Sequence, residues 1–116
     1  MSFPRYDRTA SGALHFRLRE TDSGHLGVPA GETLGIAFNA ESGALFKHGS
    51  LQFVREYFDA CTRRLRDAGF HDDARGWALL EVPLDQLTDE LLAEINHALA
   101  CTGYMAVLAA KLANRP

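Results

Sequence analysis

At 116 residues, with 47% hydrophobic and 23% charged side chains, the chain can bury one core without metals or disulfides. A formal charge of −3 argues against nucleic-acid binding, which draws on a basic excess. The two cysteines, the lack of an apolar leader and the lack of any stretch long enough to span a bilayer predict a cytoplasmic protein.

Residues 1–12 combine Pro4 and several charges with little apolar material beyond Phe3 and Tyr6. They are expected to form a flexible N-terminal arm ahead of a single α+β domain over 13–116. From Ala13 the chain alternates, with Leu14, Phe16 and Leu18 on one side and His15, Arg17 and Arg19 on the other. That period of two predicts a strand with one buried and one wet face. Residues 21–32 carry Gly24, Gly27, Pro29 and Gly31 and are expected to be a flexible connection with His25 near its centre. They lack the Lys-Ser/Thr ending of a phosphate loop and open no helix.

Residues 33–38 and 44–48 alternate on either side of turn residues 39–43, which predicts a hairpin. Leu34, Ile36 and Phe38 take the core side of its first strand. In its second strand Leu45 takes the core side, which sends Phe46 and His48 outward.

Residues 50–69 carry the clearest signal. At about 100° per residue, Leu51, Phe53, Val54, Tyr57, Phe58, Cys61, Leu65 and Ala68 fall on one side of a helix. Ser50 is placed to cap its first turn and Gly69 to end it in the left-handed conformation. Asp59 stands four residues from both Arg55 and Arg63, so the polar side is laced with opposite charges rather than forming a phosphate stripe. Arg64 alone points into the apolar arc, either snorkelling to water or anchoring a partner or an anion.

His71, Asp72 and Asp73 are adjacent, and adjacent residues rarely converge on one ion, so no metal site is predicted. The near-continuous apolar run over 77–82 predicts a more deeply buried strand, stopped by Pro83. Thr88 is an N-cap for a helix from 89 to about 101 that buries Leu91, Leu92, Ile95, Ala98 and Leu99. A break at Thr102-Gly103 precedes a further helix stacking Tyr104, Leu108 and Leu112, with a final strand as the alternative.

These elements predict an α+β two-layer sandwich: a mostly antiparallel, three- to four-stranded sheet with two or three helices on one face. No nucleophile stands beside an oriented base. Cys61 is on the apolar side of its helix, Cys101 has no electropositive neighbour, and His97 with Glu94 forms a simple surface pair. No cofactor is predicted. The outward residues His15, Arg17, Arg19, Phe46 and His48, together with Arg64, suggest a basic, partly aromatic surface. The reading taken from them is a non-enzymatic interaction or regulatory module that docks an acidic protein partner or a second copy. The plainer account is the wet face of an ordinary strand. The competing reading is a protein or minor enzyme that binds a small anionic ligand between sheet and helices, near His25, His48 and Arg64. A buried Arg64 would favour the pocket, and a solvated one the docking surface.

Overall fold

In the computed structural model, which describes residues 3–114, a turn closed by the Gly12 N–H donating to the Thr9 carbonyl folds the N-terminal segment back on the next. Strand β1 (Arg5–Arg8) therefore pairs antiparallel with β2 (Leu14–Arg17), with Tyr6 opposite Phe16. Strand β3 (His25–Val28) adds to the other side of β2. The expected arm and the expected connection both contribute strands. The reason is burial: Tyr6, Leu14 and Val28 are all enclosed and share one core.

A second antiparallel sheet is built from β4 (Thr33–Asn39), β5 (Leu45–Ser50) and β6 (Trp77–Pro83) in the order β5-β4-β6. The hairpin of β4 and β5 is the predicted one. Being central, β4 is buried on both faces. Leu34, Ile36 and Phe38 point into the main core, while Gly35 and Ala37 lie beneath helix α1 (Leu51–Asp67). Gly35 is there for space, since a Cβ would stand 3.0 Å from the Leu51 Cα. Strand β6, predicted to be the more buried one, is a sheet edge, and Trp77 to Leu80 are only half-buried. Its apolar run reflects contact on two faces but pairing along one side only.

Helix α1 ends as its sequence predicts, with Gly69 left-handed and the Phe70 N–H donating to the Leu65 carbonyl. Its start differs. The Ser50 hydroxyl donates to Glu32 at 2.9 Å and makes no cap bond to α1. The buried arc is also rotated from the predicted one. Val54 and Thr62 are enclosed, Thr62 turning its hydroxyl back to the Phe58 carbonyl, while Phe53 and Tyr57 stay exposed on one flank. A sheet of three strands is too narrow to cover the whole apolar side. Arg55, expected beside Asp59, reaches across to Glu81 of β6 at 2.9 Å.

After the short helix α2 (His71–Arg75) and β6, a 3-10 turn at Leu84–Gln86 leads to α3 (Asp89–Ala100) and α4 (Tyr104–Ala113). Thr88 caps α3 by accepting from the Leu91 N–H, and the last segment is the expected helix. Ile95, Ala98, Leu99, Met105 and Leu108 from this pair complete the core. The Tyr104 hydroxyl donates to Glu94 and accepts from Lys111, clasping the two helices.

The class is α+β with antiparallel pairing, as predicted. The six strands of the described residues divide into two sheets, and the helices lie to both sides of β4. Among the described residues, no helix is long and apolar enough to cross a membrane.

Candidate functional site

Strand β5 does not keep its alternation. Ala37 stands opposite Lys47 but Phe38 stands opposite Leu45, so Phe46 is an extra residue in a bulge. Phe46 consequently turns under α1, where its ring stacks on Trp77 at 3.9 Å. Lys47 comes to the same side, its ammonium 5.5 Å from the Phe53 ring and 5.3 Å from the Tyr57 ring. His48, paired with Ile36, faces the other way, toward the first sheet. Phe46 and His48, expected side by side, thus lie on opposite faces of β5.

The His48 ring meets Phe16 at 5.0 Å and Tyr6 at 5.5 Å between centroids, and its Nδ1 is 2.6 Å from the Tyr6 hydroxyl. Burial holds the Tyr6 phenol well above its ordinary pKa, so this group keeps its proton and donates it. Burial, and then the Lys47 charge, hold the His48 imidazole below its ordinary value. A neutral ring that accepts at Nδ1 carries its own proton on Nε2. His48 therefore presents one donor, fixed in tautomer by Tyr6.

This shift has a consequence for stability. The unfolded chain takes up a proton on His48 near the ordinary value of 6.5, while the folded chain resists doing so. Stability is then full above 6.5 and falls as the pH drops toward the lowered folded value. Urea midpoints measured across this window should decline more steeply for the native chain than for His48→Phe. Equal slopes would remove His48 from the account.

Around His48 lies a cleft of about 440 Å³ between the two sheets and the start of α1. Tyr6, Phe16, His25, Lys47, His48 and Phe53 supply its chemistry. The exposed His25 ring stands edge-on to Phe16 at 5.9 Å. Lys47 has no acidic partner among the described residues, its ammonium resting against the two aromatic rings. His48, Lys47 and several aromatic side chains therefore line one opening. Volumes of this order are typical of small-molecule sites.

The other residues singled out in the sequence lie elsewhere. His15 and Arg17 occupy the face of β2 opposite Phe16, by alternation. Arg17 is already engaged, bonding the Asp22 and Glu20 carbonyls and pairing with Asp7. Arg19 is exposed in the turn beyond the strand. Arg64 is solvated on the Phe53–Tyr57 flank of α1, two turns past Tyr57, and does not line the cleft. The structure thus does not gather His15, Arg17, Arg19, Phe46, His48 and Arg64 into one surface. It brings His48 together with His25, and adds Tyr6, Phe16, Lys47 and Phe53. The available signal for Tyr6 was the turn sequence ending in Gly12, which marks a hairpin between Tyr6 and Phe16.

No family model matches the chain, and neither a curated protein nor a solved structure matches it.

Proposed function

We infer that the chain is a ligand-binding module whose cleft takes a small anionic molecule carrying a flat ring. The observation behind this reading is that the tautomer-fixed His48, Lys47, which has no carboxylate partner among the described residues, and the aromatic walls of Phe16 and Phe53 line one cleft. The imidazole Nε2–H and the ammonium suit a carboxylate, for charge-assisted hydrogen bonds are about twice as strong as neutral ones. The aromatic walls suit a ring. Arg64 is solvated, the outcome expected of a docking surface, and it lies off the cleft, so the pocket reading rests on His48 and Lys47 without it.

Benzoate is a suitable probe, with benzamide as its neutral isostere. In an NMR titration, benzoate should shift the signals of Tyr6, His25, Lys47 and His48, and benzamide should bind more weakly. Lys47→Met is expected to weaken benzoate about tenfold or more, the worth of one charged hydrogen bond. Unmoved signals at these residues, or equal binding by Lys47→Met, would defeat the reading.

A second reading is favoured by Leu26 and Phe53, which stand 56% and 66% exposed at the cleft's rim. Exposed apolar side chains beside a cation suit docking of an acidic protein segment that inserts one apolar side chain. The same titration separates the two. An acidic peptide with a central phenylalanine that moves these signals where benzoate does not would select the docking module.

A further inference from the structure

The sheet edges of this protein are not equally protected. The outer side of β1 is occupied by the Asn96 side-chain amide, and β3 and β5 lie against one another, with Lys47 and a bulge on β5. Strand β6 has no such cover. The Leu84 N–H donates to the Glu32 carbonyl, and the Gly76 carbonyl accepts from Ala40. In an antiparallel ladder the inward positions alternate, so Ala78, Leu80 and Val82 also bond β4. Trp77, Leu79 and Glu81 then direct their N–H and C=O groups outward. Among the described residues, no protein group bonds them. Pro83 fits the same parity, because its missing N–H faces the open edge.

We propose that β6 is the interface of a homodimer, pairing antiparallel with β6 of a second copy about a two-fold axis at Leu79. The two three-stranded sheets then join into one of six strands. The register follows from the residues. With Leu79 on the axis, every outward N–H and C=O of Trp77, Leu79 and Glu81 gains a partner. Centring the pair on Leu80 sets the Pro83 ring against Trp77 and leaves the Trp77 carbonyl without a donor. Centring it on Glu81 brings two carboxylates together, and centring it on Trp77 runs each strand into helix α2. The Leu79 register also places Trp77 of the second copy beside the Arg55–Glu81 ion pair, on the same face of the sheet. A guanidinium next to an indole is a favourable contact, and the two Glu81 side chains lie on opposite sides of the axis. The half-exposed apolar run from Trp77 to Leu80 then acquires a cover. This proposal does not depend on what the cleft binds.

Sedimentation velocity at micromolar concentration is expected to show a species of twice the chain mass. Leu79→Lys sets two ammonium groups against each other on the axis and should weaken the dimer roughly a hundredfold. In a background of Cys61→Ala and Cys101→Ser, Leu79→Cys should form a disulfide between copies on mild oxidation. Cα atoms in such a pair stand about 5.5 Å apart. Leu80→Cys, offset from the axis, should not cross-link. Should Leu79→Lys fail to fold, as judged by circular dichroism, the cross-linking pair still decides. A native chain that stays monomeric, a Leu79→Lys dimer of native affinity, or cross-linking at Leu80 instead of Leu79 would each overturn the proposal.

Discussion

Replacing Asn96 with leucine is expected to lower stability by about 2–6 kcal/mol, two unsatisfied buried polar groups at ~1–3 each. Asn96 sits on α3, buried against β1. Its Oδ1 accepts from the Tyr6 N–H at 2.7 Å and its Nδ2 donates to the Tyr6 carbonyl at 2.9 Å. The side chain acts as a one-residue strand, completing the edge of β1 at the position where alternation turns both Tyr6 groups away from β2. Leucine fills similar space but strands an N–H and a C=O in the interior. Small domains hold only ~5–15 kcal/mol in all, so this variant is expected to be marginal or unfolded near room temperature. Asn96→Asp makes the sharper test. It keeps the acceptor and sets a second oxygen against the Tyr6 carbonyl, where only a protonated carboxyl can donate. Its folded pKa is therefore raised, and its stability relative to the native chain should be best in acid and fall as the pH rises. Urea midpoints at several pH values measure this, and amide exchange should localise the loss to β1. An aspartate variant with the native pH profile would show that the Nδ2 bond contributes nothing.

Asn96 also shows why part of the fold was hidden in the sequence. Periodicity reports which side chains seek burial, and it served well wherever a whole face repeated, as in β4, α3 and α4. It is silent on a polar side chain that earns its burial by pairing with backbone 90 residues away. Without that partner, Arg5–Arg8 looks like a charged arm, because Tyr6 is its only core residue. The site was obscured for a related reason. Alternation assigns Phe46 and His48 to one face, and a single extra residue in β5 reverses one of them. A bulge leaves no periodic mark, so the docking surface drawn from the sequence combined residues that the fold separates. The histidines of the rival reading, His25 and His48, both line the cleft, because β3 and β5 lie against one another where the two sheets meet.

Gly27→Ala should cost about 1–3 kcal/mol, as overpacking does, and should also dismantle the cleft. The glycines around β3 have different physical causes. Gly24 and Gly31, at φ of +86° and +81°, serve the turns at either end. Gly27 has no such backbone demand. A Cβ there would lie 2.7 Å from the Cε1 atom of Tyr6, whose ring is enclosed and held at its hydroxyl by His48. The flexible-loop reading of these glycines therefore misses a steric one, in which Gly27 is the floor on which Tyr6 rests. Alanine must push the Tyr6 ring outward, lengthening its bond to His48 and admitting water. With burial relaxed, the His48 pKa should rise toward 6.5, which NMR titration of the imidazole reads directly. Benzoate binding should weaken in parallel if the cleft is the ligand site. Gly31→Ala is the control, for its Cβ meets nothing and only backbone strain is added. It should lose stability while leaving the His48 titration in place. If Gly27→Ala also left that titration unchanged, Tyr6 would not be what fixes His48, and the donor at the centre of the cleft would need another cause.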